Sequence, residues 1–166
     1  RTIMARWSSY LGNWTPVAVG DTANFTDAGH LSLQGGSSTQ RINIWEVKMG
    51  GLAGASAPMQ TLLARHSTVG ATLSGGIITA LDPATAGLAA PPVAFTTSTT
   101  KPQRSATLKL LALAFNAFGG LVRLQMPPEG PIPMLGNTAS FGELGISSLS
   151  TGTPGLTDAH IIFETL

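Results

Sequence analysis

RINIWEVKM, residues Arg41 to Met49, is the stretch that decides the fold class. β-branched, aromatic and polar residues follow one another in it with a period of two, which is typical of a strand and not of a helix. The alternation gives two partly apolar faces, one with Ile42, Ile44, Glu46 and Lys48 and the other with Trp45, Val47 and Met49. A strand with two such faces is expected in a sandwich, where a loop or a neighbouring subunit covers the second face.

Glycine and proline clusters divide the rest of the chain into short segments of the same kind. The 20 Gly and 11 Pro lie between apolar runs, and this spacing argues against long helices. We expect further strands at Thr15–Val19, His30–Gln34, the middle of Pro58–Gly70, Val93–Thr97, Ala106–Phe115, Leu121–Met126, Gly136–Leu149 and His160–Leu166. This pattern predicts an all-β, antiparallel β-sandwich, most simply a jelly roll.

Three segments allow another interpretation. Pro58–Gly70 could hold a single helical turn, and the Ala and Leu residues of Ala106–Phe115 favour a helix, although its flanks favour a strand. The segment Ala71–Pro92 is rich in Ala, Thr and Gly, which predicts a long loop. Within it Asp82 would suit an N-cap for a short helix at Pro83–Leu88. Gly142 and Gly145 interrupt the strand Gly136–Leu149 and predict bulges or the close approach of another chain.

The low charge of the chain points to contacts between subunits. Charged residues make up 10% and hydrophobic residues 43% of the sequence, whereas an ordinary soluble domain is about a quarter charged. A surface covered by Ser, Thr, Asn and Gln is desolvated at low cost when subunits pack together. The alternative is a secreted domain that is merely rich in Ser and Thr. A net charge of +1 with dispersed basic residues predicts no binding of nucleic acid.

Disulfides, redox chemistry and cysteine-based zinc sites are excluded because the chain has no cysteine. Apolar runs long enough for a membrane span, and the apolar centre of a signal peptide, are lacking, so no membrane partner is expected. Arg1-Thr2-Ile3 precedes Met4, which fits a processed precursor or a fragment. We expect an N-terminal arm at residues 1–20 and a single sandwich domain at residues 21–166.

Aromatic residues near the N-terminus are candidates for subunit contacts. Trp7, Tyr10 and Trp14 could anchor an exposed arm in a neighbouring subunit, because Trp and Tyr dominate binding hot spots. In the alternative interpretation they cover the core of their own domain. Phe141 is a further contact candidate if its broken strand lies at the surface.

Motifs that carry chemistry are weak or missing. His30, His66 and His160 are not in a metal-binding spacing, and we expect each to be a strand residue bonded to a neighbour. The nucleophile elbow of serine hydrolases is absent, and Pro58 prevents a helix after Ser56. The glycine-rich Gly50–Gly54 lacks the Lys-Ser/Thr pair of a phosphate loop. We therefore expect a protein that is not an enzyme, with no catalytic, cofactor or metal site.

Several segments together resemble structural proteins of tailed phages and prophages. They are INIWEVKMGG from Ile42, APMQTLLARHSTVG from Ala57, LAAPPVAF from Leu88, LAFNAFGGLVR from Leu113, and GNTASFGELG from Gly136 through HIIFETL at the end. The resemblance implies a virion component assembled in a bacterial cytoplasm: a capsid decoration or auxiliary protein, a shell subunit or a spike. Its partners would be other capsid proteins and copies of itself, as a trimer or a larger lattice. Its motifs are packing and turn motifs without a catalytic signature.

Two other classes remain open at this stage. A receptor- or carbohydrate-binding module of a phage fibre or spike would also be β-rich, and would place aromatic side chains on one exposed face. A sandwich enzyme would need carboxylates or histidines that converge in a cleft.

Overall fold

The computed structural model describes residues 5–19, 24–84, 87, 91–136, 141–149 and 153–166, and their regular secondary structure is entirely β. Two sheets pack against each other, so the predicted all-β sandwich is confirmed. The strands are β1 (Arg6–Trp14), β2 (Ala18–Val19), β3 (His30–Gln34), β4 (Arg41–Gly51), β5 (Pro58–Thr68), β6 (Ala71–Gly75), β7 (Ile77–Ala80), β8 (Val93–Thr100), β9 (Gln103–Asn116), β10 (Leu121–Gln125), β11 (Ile132–Leu135), β12 (Glu143–Leu149) and β13 (Thr157–Thr165).

The strand order is that of a jelly roll. Sheet A runs β10-β4-β13-β1-β7, with β11 also paired to β4, and sheet B runs β6-β8-β3-β12-β5-β9, with β2 paired to β12. If β2, β6, β7, β8 and β11 are set aside, eight strands remain. Numbered one to eight in chain order, these strands lie in the order 1-8-3-6 across sheet A, which is β1, β13, β4 and β10. Across sheet B they lie in the order 2-7-4-5, which is β3, β12, β5 and β9. This order follows from two interlocked Greek keys.

The core lies between the two sheets and is apolar. Alternate residues of the central strands point inward and are fully buried, among them Ile44, Leu63, Ile146 and Phe163. Burial of one such side chain contributes about 1.5–3 kcal/mol to folding. The continuous cluster holds sheet A to sheet B.

A β-bulge corrects the predicted faces of β4. Opposite β13 the register shifts, so that Ile162 pairs with Glu46 while Phe163 pairs with Ile44, and Trp45 is the extra residue. After the extra residue, the side chains that would have pointed to one face of the sheet point to the other. As a result Ile42, Ile44, Val47 and Met49 all point into the core, whereas the sequence pattern placed them on two different faces.

The prediction of an exposed N-terminal arm is wrong for residues 6–14. These residues form β1, which lies inside sheet A between β13 and β7. Trp7 and Trp14 are 8% and 4% exposed and belong to the core cluster, because β1 directs them toward sheet B. The indole Nε1 of Trp14 donates to the carbonyl of Ala28 at 2.8 Å. The alternative interpretation, that both cover their own core, is therefore correct; residues 1–4 lie outside the described part.

Most other strand predictions are confirmed. The predicted strand His30–Gln34 is present as β3. The two segments for which a helix was an alternative are also strands, Pro58–Thr68 and Gln103–Asn116. Thr15–Val19 is a strand only at Ala18–Val19. Residues 137–140 of the broken strand lie outside the described residues, and its second half forms β12.

The loop predicted for Ala71–Pro92 is wrong in its first half, which forms β6 and β7. In the predicted helix at Pro83–Leu88, residues 85, 86 and 88 lie outside the described residues, and residues 83 and 84 form a turn. Asp82 does act as a local cap there, since its Oδ1 accepts from the amide of Ala84 at 2.9 Å.

Candidate interaction surface

One side of the sandwich carries a long and apolar edge. Strand β9 ends sheet B, and β5 is its only neighbour in the strand order of the described residues. In an antiparallel pair alternate residues direct their N–H and C=O groups to one neighbour, so half of these groups on β9 point away from β5. Lys109 is the only charged residue between Ser105 and Asn116. Soluble proteins usually protect such edges with charges, proline or short strands.

The edge of sheet A on the same side is also apolar. Strands β10 and β11 pair with the same edge of β4, and β10 lies close to β9. Leu121 on β10 is 74% exposed and Leu135 on β11 is 60% exposed. We call the surface formed by β9, β10 and β11 the β9–β11 edge.

A groove of about 540 Å³ opens at one end of the β9–β11 edge. It lies where β11 of sheet A meets β5 and β9 of sheet B. Apolar side chains dominate its walls, and two guanidinium groups provide its charge. The lining residues are Arg41, Arg65, Leu108, Pro133, Met134, Leu135 and Phe141.

The two arginines of the groove have no carboxylate partner among the residues that the structure describes. Nη2 of Arg65 donates to the carbonyl of Pro133 at 2.5 Å, which fixes the side chain across the gap between the sheets. Burial lowers the pKa of Arg65, but a guanidinium stays protonated at neutral pH. Arg41 is exposed at the start of β4. The groove therefore presents two positive charges beside apolar walls.

Phe141 is held in an unfavourable backbone conformation with its ring partly exposed. Its φ is +61°, a left-handed value that costs a bulky residue about 1–2 kcal/mol. Its amide donates to the carbonyl of His66 at 2.9 Å, and its side chain is 41% exposed. Strained residues at a surface are often kept for function. The condition set for Phe141 from the sequence, a broken strand at the surface, is not met, because β12 is buried between β3 and β5; Phe141 itself precedes β12 and is exposed.

A buried polar cluster lies under Phe141 on the side of sheet B that faces away from the core. The Glu143 carboxylate bonds to His66 Nδ1 through Oε1, and both side chains are fully buried. Its Oε2 accepts from the amide of Gly70 at 2.8 Å and from Nε2 of Gln34 at 3.1 Å. A buried carboxyl group with this many partners ties β5, β12 and β3 together.

His30 extends the cluster beneath Phe25. Its Nδ1 is 2.8 Å from Ser32 Oγ, and its ring lies against Phe25 and Phe95. Burial, followed by the charge of nearby His66, lowers the pKa of His30 to about 3, so it is neutral at ordinary pH. Nη2 of Arg104 donates to Ser147 Oγ at 2.7 Å.

The buried cluster does not form a Ser–His–acid chain. The histidine bonded to Ser32 is His30, whereas the carboxylate of Glu143 bonds to His66. As predicted, His30 and His66 are each bonded to a neighbour, through Nδ1, but the Nε2 atom of each ring is buried without a hydrogen-bond partner among the described residues, so neither ring is fully satisfied. His160 instead lies on the outer face of sheet A, where its ring packs against Tyr10 with 4.7 Å between ring centroids and a tilt of 43°. Within the described ranges no group of three or more His, Asp or Glu could hold a metal ion.

Neither a protein-family model, nor a curated protein, nor a solved structure matches this chain. Among the described residues no helix is long and apolar enough to cross a membrane.

Of the four residues selected from the sequence, only Phe141 lines the groove. Tyr10 is half-buried on the outer face of sheet A, and Trp7 and Trp14 are in the core. Sequence reasoning missed Arg41, Arg65 and Leu135. The available signal was LKLLALAF, residues 108 to 115, whose single charge indicates an unprotected edge.

Proposed function

We propose that the protein is a structural subunit of a virion, a capsid decoration or auxiliary protein or a shell subunit, that works by packing against other subunits. The observation that carries this proposal is the β9–β11 edge, which leaves the backbone groups of a long strand and several large apolar side chains uncovered. A soluble domain with such an edge tends to acquire a partner.

Composition and fold support the same function. With 10% charged residues, the chain has few charges to keep copies apart. Jelly rolls serve in viral capsids and in lectins, so the strand order is compatible with a shell role without requiring it. The resemblance of several segments to phage structural proteins supports the virion assignment.

Sedimentation velocity and negative-stain microscopy of the purified protein test the assembly role. We expect a trimer or a larger regular assembly. Lysines introduced at the exposed Ala112 and Ala114 of β9 should weaken it, because charges block strand addition at an edge. The matched control is Thr79→Lys, on the exposed part of β7 at the opposite edge of the sandwich. A stable monomer at every concentration would contradict the proposal.

The virion assignment has a separate test. Mass spectrometry of purified particles from the source of the chain should find it in a constant ratio to the main shell protein. Its absence from washed particles would contradict a virion role, even if the pure protein assembles.

A second candidate is a glycan- or receptor-binding module of a phage fibre or spike. The outer face of sheet A favours it, because it carries Tyr10, His160 and Trp45, and a groove of about 550 Å³ lies beside Trp45. Aromatic rings next to polar groups are common in sugar-binding sites. The Arg6 guanidinium lies over the Trp45 ring, 4.8 Å from its centroid. Glycan-array binding that Trp45→Ala abolishes would favour this candidate; no binding would remove it.

A further inference from the structure

We propose that the groove between Arg41 and Arg65 receives the turn Pro127–Gly130 of a second copy of this chain, with the carboxylate of Glu129 between the two guanidinium groups. This inference rests on the proposed assembly function and names the partner of one contact.

Charge complementarity selects Glu129. Every other carboxylate among the described residues has a hydrogen bond or an ion pair within its own chain: Asp27, Glu46, Asp82, Glu143, Asp158 and Glu164. Glu129 is exposed and has no such partner in the described part. Likewise, the side chains of Arg41 and Arg65 have no ion pair with a carboxylate in the described part of the chain. Glu129 is thus left for contacts with another molecule, as are Arg6, Arg41 and Arg65, and of these three arginines only Arg41 and Arg65 line one groove.

The turn that carries Glu129 is shaped for docking. The amide of Gly130 donates to the carbonyl of Pro127 at 3.0 Å, which closes a four-residue turn. Pro128 occupies the second position of this turn, where its fixed φ is favourable, and Glu129 is next to it at the tip. Residues 127–130 are all exposed. A turn stiffened by two prolines loses little conformational entropy on binding, and its rings suit apolar walls.

The guanidinium groups leave donors for this carboxylate. Arg65 uses one N–H of its Nη2 for the carbonyl of Pro133, and a guanidinium has five N–H donors in all. A carboxylate accepts such donors in a planar, paired geometry. Leu135 and Phe141, which are exposed in the isolated chain, would cover the prolines on either side.

A two-fold axis, as between trimers of a larger assembly, satisfies both copies at once. The turn connects β10 to β11, and β11 itself forms part of the groove, so turn and groove are joined by one strand of this edge, with Pro127 and Pro128 beside Trp45 at the other end of β11. Glu129 and Met134 are five residues apart in the chain, a span of roughly 16 Å at most. An axis between them places each turn on the groove of the partner. Such self-complementary contacts are the commonest kind in homo-oligomers.

The experiment is a charge exchange followed by sedimentation equilibrium. Glu129→Arg and Arg41→Glu alter exposed side chains, and circular dichroism checks that both variants fold. Each is expected to weaken association by about tenfold or more, because like charges then meet in the contact. The double variant, Glu129→Arg with Arg41→Glu, should regain most of the lost affinity. Glu129→Asp is the conservative control and should keep most of it.

The other outcomes are decisive as well. If the wild type assembles and neither single variant weakens it, the turn–groove contact is overturned while the assembly function stands. If Arg41→Glu alone weakens association, the groove binds another acidic segment and the proposed occupant is wrong. Two weakened single variants without rescue also overturn the pairing. A wild type that stays monomeric overturns both proposals.

Discussion

The amide of Phe141 donates to the carbonyl of His66, at 2.9 Å, and this bond connects the surface of the groove to the buried polar cluster. His66 is itself fixed by the Glu143 carboxylate, two residues after Phe141. Phe141 and Glu143, near the start of β12, are thus both bonded to His66 on β5. The exposed ring of Phe141 is therefore positioned by groups that are fully buried, which gives the groove a rigid wall.

The variant Phe141→Gly distinguishes the contribution of the ring to self-association from the strain of the positive φ at this residue. Glycine accepts a positive φ without strain, so the free energy of unfolding should change by no more than about 1 kcal/mol. Loss of the ring should weaken self-association by about tenfold or more if it is a contact residue. Urea denaturation and sedimentation equilibrium measure the two effects. Ile77→Ala, at the exposed opposite edge, is the control and should leave association unchanged.

Trp7→Ala and Trp14→Ala should each lower the free energy of unfolding by about 3–5 kcal/mol, because both side chains fill the core. Tyr10→Ala, on the outer face of the same strand, should cost about 1 kcal/mol. Guanidinium denaturation of the three variants checks this order. Equal and small losses for all three would contradict the placement of β1 within sheet A.

Prediction from the sequence succeeded where a pattern is local. The period of two at Arg41–Met49 identified β4, but the bulge at Trp45 depends on the register with β13, more than a hundred residues away in the chain. Residues 71–80 were missed because edge strands bury little and so have weak hydrophobic alternation.

The groove was beyond sequence reasoning for a related reason. Arg65 and Phe141 approach each other through the pairing of β5 with β12, and Arg41 joins them from the other sheet. Likewise, Trp7 and Trp14 have the same local sequence signal whether they cover their own core or that of a neighbour. Only the position of β1 between β13 and β7 distinguishes the two cases.

Gly145→Ala should destabilise the protein by about 1–3 kcal/mol through overpacking. A Cβ atom there would lie 2.7 Å from Ser32 Oγ, 2.8 Å from His66 Cε1 and 2.9 Å from His66 Nε2. His66 cannot move away without losing its bond to Glu143. The predicted close approach at Gly145 is thus made by side chains of the same molecule. Gly50→Ala is the matched control in β4, because nothing lies within 4 Å of its Cβ position; thermal melts of both variants should differ clearly.

The stability of the protein should fall with acid in a way that depends on His30. Burial and the neighbouring His66 lower the pKa of His30 from 6.5 to about 3 in the folded chain. Between these two values the unfolded chain binds one more proton at this residue than the folded chain does. The contribution of His30 to stability is therefore fully present above about pH 6.5 and is lost progressively as the pH falls toward 3.

The variant His30→Asn isolates this contribution, since Asn can still bond to Ser32 but does not titrate. Asp27 and Lys101, whose charges also act on His30, and the His66–Glu143 pair remain in the variant, so the comparison with the wild type isolates His30. Urea denaturation at a series of pH values should give a shallower acid decline for His30→Asn than for the wild type. Parallel curves for the two proteins would show that the folded chain protonates His30 as readily as the unfolded chain does.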